Sequence, residues 1–140
     1  MQLENISKSF GEELVLDDIR LRISPSKFTA FIGPNGAGKS TLLSIMSRLL
    51  KKDQGFLSIK GKEIEAWNSR ELAKELTILK QKINYQSKLT VEELVSFGRF
   101  PYSQDHLTKD DVQQVEQALI YLNILDLRNR FIDTLSGGQL

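Results

Sequence analysis

The chain has 140 residues, enough for one ordinary domain with a buried core, so a disordered segment is not expected. Lys plus Arg (19) against Asp plus Glu (18) gives a net charge of +1, which excludes a whole-molecule field drawing the chain to nucleic acid or to an anionic membrane surface. The lack of cysteine excludes a disulfide framework, a thiolate metal site and a cysteine nucleophile, and the single histidine excludes a multi-histidine metal site within these residues.

Short apolar patches at Leu3 to Ile6 and Leu14 to Leu16, followed by the alternation Ile19-Arg20-Leu21-Arg22-Ile23, predict a small antiparallel layer with one buried face. Phe28 to Ile32 is a nearly continuous apolar run leading into glycines, the pattern of a central strand buried on both faces. After the glycines, Leu42, Leu43, Ile45, Met46, Leu49 and Leu50 recur at helical spacing, with Lys51 and Lys52 at the negative end of that helix. Asp53-Gln54-Gly55 then turns the chain. Phe56 to Ile59 and Lys62 to Ile64 read as short strands either side of Gly61, and Asn68 with Glu71 caps a short helix. Leu76 to Leu79 is a second buried-strand candidate, ending at Lys80-Gln81.

From Thr90 onward the character is helical. Thr90-Val91-Glu92-Glu93 is a capping box leading to Leu94, Val95 and Phe97, with Gly98 expected at the C′ position and Pro101 preventing continuation. Thr108 opens a further helix whose apolar stripe is expected to carry Val112, Val115, Leu119 and Leu122. Strands first and helices last predict an α/β core with a helical subdomain starting near residue 85, that is, 1–84 and 85–140.

Gly33-Pro34-Asn35-Gly36-Ala37-Gly38-Lys39-Ser40-Thr41 fits G-x-x-x-x-G-K-[ST] between a predicted strand and a predicted helix, the context in which this spacing forms a phosphate loop. Gly36 and Gly38 let the backbone take positive φ and approach phosphate oxygens with no Cβ in the way. Successive amides and the positive end of the helix then form an anion-binding nest. Lys39 is expected on the β- and γ-phosphates of a nucleoside triphosphate, the Ser40 hydroxyl on Mg²⁺, and Thr41 near the α-phosphate.

Leu135-Ser136-Gly137-Gly138-Gln139 is a second glycine-containing segment, read either as a mobile loop or as Ser136 capping a helix while the Gly137 and Gly138 amides face an anion. With both motifs in this order, the whole chain resembles the ATP-binding subunits of ABC transporters. That resemblance implies a P-loop NTPase of ABC type with an antiparallel β layer, a RecA-like core and a helical subdomain. It makes 135–139 the signature whose Ser136, Gly137, Gly138 and Gln139 contact the γ-phosphate side of an ATP held by a second, head-to-tail subunit. It also implies that Phe10, in Lys8-Ser9-Phe10-Gly11, stacks on adenine. By the same resemblance, Gln81 ligates Mg²⁺, orients the attacking water and hinges the helical subdomain.

The segment Val91 to Tyr102, with Ile78 to Gln81 and Leu89 to Val91, resembles importers of iron–siderophore chelates, a group that includes vitamin B12 and haem importers. Arg99, Phe100 and Tyr102, just past a helix end, are expected on a contact surface, and Tyr85 to Tyr102 is the implied docking region for a transmembrane permease. A solute-binding protein completes such systems, and the implied location is the cytoplasmic face of the membrane, held peripherally. This agrees with a start, Met1 to Asn5, lacking signal-peptide regions and with no apolar run near the roughly 20 residues a spanning helix needs. Alternatives are an ABC-type ATP-binding protein for another substrate, a non-hydrolysing nucleotide-binding regulator, or a soluble family member acting on ribosomes or DNA repair. His106, Trp67, Glu63 and Glu65 read as surface or packing residues.

The family's metal-binding aspartate, catalytic glutamate and switch histidine follow the signature, so the resemblance covers the N-terminal portion of such a subunit and the 140-residue chain is expected to be catalytically incompetent. ATP hydrolysis at saturating Mg-ATP checks this: negligible turnover is expected, and substantial turnover abolished by Lys39→Ala would overturn it.

Overall fold

A computed structural model describes residues 1–79, 88–103 and 106–139. Backbone contacts divide the chain into two compact units, Met1–Ile78 and Leu79–Leu140.

In the first unit, β1 (Gln2–Phe10), β2 (Glu13–Arg22), β3 (Gln54–Ile59) and β4 (Lys62–Glu63) form one antiparallel sheet in the order β2-β1-β3-β4. The apolar patches at 14–16 and 19–22 lie on the single strand β2, with Ile23 just past its end, because Asn5 and Asp18 take left-handed φ (53° and 47°) and let the β1–β2 ladder shift register while keeping its pairing. The Asn5 Nδ2 group donates to the Asp18 carboxylate, so the two irregular residues brace each other. Gly55 is required beside them: its φ is +95°, and a Cβ there would lie 2.3 Å from the Asn5 carbonyl oxygen.

One face of the sheet supplies Leu3, Ile6, Leu16, Leu57 and Ile59 to the core, and α1 (Lys39–Met46) lays Leu42, Ile45 and Met46 on it. Ile64 and Leu72, the latter on α2 (Ser69–Glu75), close the cluster. The Asn68 side chain caps α2 by accepting from the Arg70 N–H at 2.9 Å.

The helix after the glycines is shorter than its apolar pattern suggests. Arg48 takes φ 57°, and the Leu49 N–H to Ser44 carbonyl (2.9 Å) and Arg48 N–H to Ile45 carbonyl (3.0 Å) bonds close a Schellman end. Arg48 holds this geometry by donating to the Trp67 carbonyl (2.7 Å) and the Ser69 hydroxyl (2.8 Å). Lys51 and Lys52 therefore lie beyond the helix. Lys52 pairs with Glu65 and, at 3.8 Å, with Glu63, while Leu43 and Leu49 are exposed.

Phe28 to Ile32 and Leu76 to Leu79, expected as buried strands, are not strands: Phe28 is 97% and Ile32 95% exposed. A parallel central strand exists only when neighbours complete its ladder and layers cover both faces, and among the described residues no strand pairs with either run. The expected boundary at 84/85 falls at residues outside those described.

In the second unit, α3 (Val91–Ser96), α4 (Phe100–Ser103) and α5 (Lys109–Tyr121) surround a core of Val91, Val115, Leu119, Leu127 and Ile132. Thr90 and Glu93 form the expected capping box, with the Thr90 N–H on the Glu93 carboxylate at 2.7 Å. Gly98 is not a helix stop. It lies in a 3₁₀ turn (Phe97–Arg99) that leads straight into α4, where Pro101 sits in a first turn that does not need its missing N–H. The buried stripe of α5 is Asp111, Val115 and Leu119 at a spacing of four, whereas Val112 and Leu122 face outward. Asn123, at φ 56°, ends α5 in a second Schellman geometry.

Asp111 is buried because it has partners. Its carboxylate accepts from the Thr108 hydroxyl (2.6 Å), the Thr108 N–H (2.9 Å) and Arg99 Nε (2.7 Å), which together hold its pKa well below the usual carboxylate range. Because the folded pKa is the lower one, the stabilisation is complete above the unfolded value of about 3.9 and is lost as pH falls below it. Thermal unfolding against pH should show Asp111→Asn less stable than the parent at pH 7, with the difference shrinking towards pH 3.

Candidate functional site

Gly36 and Gly38 both take positive φ, 83° and 74°. At Gly38 any side chain is both strained by the left-handed φ and crowded: a Cβ would lie 2.7 Å from Leu16 Cδ2 and 3.0 Å from the Val15 carbonyl of β2. Gly38 is also the N-cap of α1, and its carbonyl accepts the Leu42 N–H at 2.8 Å. A glycine cap has no side chain to satisfy the first helical amides, so those of Lys39, Ser40 and Thr41 stay available to an anion at the positive helix end.

Turn bonds shape the preceding loop, Ala37 N–H to the Pro34 carbonyl (3.3 Å) and Gly38 N–H to the Gly36 carbonyl (2.8 Å). Lys39 Nζ reaches back across it, donating to the Gly33 carbonyl at 2.8 Å and the Pro34 carbonyl at 2.6 Å. Gly33, Pro34, Asn35, Gly36, Ala37 and Ser40 are exposed, and Lys39 and Thr41 half-buried. Among the described residues no group of His, Asp or Glu is arranged to hold a metal. The exposed Ser40 hydroxyl beside the helix amides fits an Mg²⁺ carried by nucleotide phosphates, the usual way this ion is bound. Gln81, the other expected ligand, lies outside the described residues.

Phe10 ends β1 at the tip of the β1–β2 hairpin, in the same unit as the phosphate loop, and is half exposed. Lys8 Nζ sits over its ring, 5.6 Å from the centroid. Lys8 pairs with Asp53 at 2.6 Å, and Asp53 also accepts the Ser9 N–H at 2.8 Å. The Lys8 ammonium, then the Ser9 amide, hold the Asp53 carboxyl below its ordinary pKa. Neither Asp53 nor Lys8 stands out in the sequence as a site residue, because the pair is 45 positions apart.

In the second unit, Ser136 and Gln139 form half of a capping box. The Gln139 side-chain oxygen accepts from the Ser136 N–H (3.0 Å) and hydroxyl (3.1 Å), while the Gln139 N–H bonds the Ser136 carbonyl at 2.9 Å. Gly137 and Gly138 are exposed in the turn between them, with nothing within 4 Å of a Cβ position. The residues leading to this turn are fixed on α3 through the Val91 N–H to Arg130 carbonyl bond (3.0 Å) and an Arg128–Glu92 ion pair.

Phe97, Phe100 and Tyr102 are 44%, 53% and 47% exposed, and the first two rings pack 5.6 Å apart. Arg99, expected on a contact surface with them, is engaged inside the unit: besides Asp111, its guanidinium lies 4.2 Å from the Tyr102 ring centroid. Thr108 and Asp111 show in the sequence as a helix start; Arg99 as their partner does not, since the contact is tertiary.

A profile of the ABC transporter family matches residues 16–140. The chain belongs to the ABC transporter family. It is 52% identical over 139 residues to the petrobactin import ATP-binding protein YclP of Bacillus subtilis (strain 168), covering 99% of this chain and 55% of that protein. To the ferric enterobactin transport ATP-binding protein FepC of Escherichia coli (strain K12) it is 36% identical over 138 residues, covering 97% and 51%. The fold is similar to the dimeric structure of a bacterial ABC transporter cassette, with a TM-score of 0.82 at 28% identity over 99% of this chain and 64% of that one. A dimeric cassette bound to ADP and Pi in a post-hydrolysis state gives a TM-score of 0.80 at 28% identity, with the same coverage. The chain spans about half the length of the curated relatives it matches. The sheet, α1 and the helical unit are thus those of an ABC cassette, as expected from the order of the motifs.

Gly38→Ala should lower Mg-ATP affinity at least about tenfold, because the left-handed φ and the Leu16 contact together displace the loop. Isothermal titration of the variant against the parent measures it.

Proposed function

We propose that this chain belongs to an ATP-binding subunit that couples ATP hydrolysis to import of an iron–siderophore complex. The observation that carries the proposal is the phosphate loop, with uncapped amides at the start of α1 and Lys39 poised over it, in a chain 52% identical to a petrobactin import ATP-binding protein.

In this reading, Gly33 to Thr41 wrap the triphosphate, and Lys39 exchanges the Gly33 and Pro34 carbonyls for β- and γ-phosphate oxygens. Ser40 and Gln81 hold Mg²⁺, which supplies charge neutralisation of the phosphates, and Gln81 orients the attacking water. Phe10 stacks on the adenine. Ser136 is held by Gln139 so that the amides of Gly137 and Gly138 present themselves to the γ-phosphate of an ATP on a second subunit placed head to tail. The dimeric cassettes of similar fold support that arrangement.

The segment Tyr85 to Tyr102 docks on a transmembrane permease, which a solute-binding protein serves from the other side. The subunit then sits peripherally on the cytoplasmic face. Among the described residues no helix is long and apolar enough to cross a membrane. Phe100 and Tyr102 are the side chains offered to the permease, and Arg99 fixes their helical turn through Asp111. The petrobactin import and ferric enterobactin transport ATP-binding proteins among the relatives support an iron chelate as cargo.

In the assembled transporter, Phe100→Ala with Tyr102→Ala should reduce iron–siderophore uptake about tenfold or more while leaving ATP affinity within twofold, whereas Lys39→Ala should abolish both. Uptake at the parental rate in the double variant would overturn the docking assignment, and unchanged ATP affinity in Lys39→Ala the nucleotide assignment.

A further inference from the structure

Phe10 is the last residue of β1, and the strand that carries it is irregular. The β1–β2 pairing shifts register between Leu3 and Ile6, between Ile6 and Lys8 and between Lys8 and Ser9, and the hairpin then turns at Gly11 with φ +60°. Past the last shift two pairs remain, Ser9 with Leu14 and Phe10 with Glu13. A second fastening comes from outside the hairpin. The Asp53 N–H donates to the Ser7 carbonyl at 3.0 Å, Asp53 Oδ2 accepts the Ser9 N–H at 2.8 Å, and Asp53 Oδ1 accepts from Lys8 Nζ at 2.6 Å. Asp53 therefore bonds three consecutive residues immediately before Phe10. The Lys8 side chain, only 14% exposed, then carries the contact to the ring itself.

Both halves of Asp53 matter to this geometry. Its amide continues the β1–β3 pairing one step past Ser7 and Gln54, and its carboxylate takes over where the backbone ladder stops. Asp53 stands on the connection from α1 to β3, so the end of β1 is tied to the segment that continues the phosphate-loop helix. Lys8 lies over the half-exposed phenyl ring.

We infer that Asp53 is a positioning residue for base recognition: through Ser9 and Lys8 it holds the Phe10 ring in place before the nucleotide arrives. The inference rests on the assignment of Phe10 to adenine. Without the anchor, ordering the strand end is charged against nucleotide binding, and only ligands that carry a base feel that charge. Tripolyphosphate, which has the phosphates and no base, is blind to it.

Titration calorimetry of the full chain with Mg-ATP and with Mg-tripolyphosphate separates the possibilities. Asp53→Ala should weaken ATP about three- to tenfold and leave tripolyphosphate within twofold, and the double variant with Phe10→Ala should bind ATP no more weakly than Phe10→Ala alone. Asp53→Asn, which keeps an acceptor for the Ser9 amide, should lose less than Asp53→Ala, and Lys8→Met should show a partial loss of the same selectivity. Equal weakening of both ligands by Asp53→Ala marks a general structural role and overturns the inference. So does parental ATP affinity in Asp53→Ala when Phe10→Ala is selectively impaired. Parental ATP affinity in Phe10→Ala is a different result, which removes the adenine assignment itself and the inference with it. Circular dichroism establishes folding; should Asp53→Ala not fold, an unchanged ATP-to-tripolyphosphate ratio in both Asp53→Asn and Lys8→Met overturns the inference.

Discussion

The space that Gly38 leaves empty is the constraint on which the loop before α1, the proposed nucleotide site, depends. Its left-handed φ turns the loop into α1, and its bare Cα lets that turn settle on Val15 and Leu16 of β2. A side chain would prop the loop off the sheet. It would also risk supplying a hydrogen-bond cap to the first helical amides, the groups an anion needs. One residue thus sets three things at once: the direction of α1, the distance of the loop from the sheet, and the vacancy at the helix start. Leu42, Ile45 and Met46 then hold α1 on the core, so the burial of the apolar face keeps the polar end aimed.

The second unit is organised by charge as much as by apolar packing. Its cluster of Val91, Val115, Leu119, Leu127 and Ile132 is small, and a buried carboxylate stands in the same helical stripe. Asp111 is tolerated there because every lone-pair direction that matters is met, by Thr108 twice and by Arg99 once. Arg99 comes from the turn between α3 and α4, so the ion pair ties that turn to α5. The Arg128–Glu92 pair does the same between α3 and the stretch before Ser136.

What could be read from the sequence is what is written locally. The left-handed Gly36 and Gly38 before α1, the Asn68 cap and the Thr90–Glu93 box each lie within ten residues, and each stands in the structure with the geometry its spacing implies. The failures share a cause. Phe28 to Ile32 and Leu76 to Leu79 have the composition of central strands, yet a strand is a relation between segments, and apolar residues alone do not supply the partner. Gly98 and Pro101 look like a stop, but glycine ends a helix only when it turns left-handed, and proline opens a helical turn as readily as it blocks one. Arg48 and Asn123 ended helices in its place, which no glycine count reveals. Arg99 with Asp111, and Asp53 with Lys8, are contacts made across 12 and 45 positions, invisible to any periodicity.

Lys39 gives the loop a chemistry of substitution. With its ammonium shared between the Gly33 and Pro34 carbonyls, the cation is already solvated by the protein, and the loop's own oxygens are kept from pointing at an incoming anion unscreened. On the proposed reading, arrival of a phosphate would swap two neutral acceptors for charged ones, and the gain would be the difference between those bonds, not their full strength. The released carbonyls must turn to other donors, and the nearest supply is water. On that reading, occupancy of the loop would be written into the hydration of Gly33 and Pro34, a local change at its mouth.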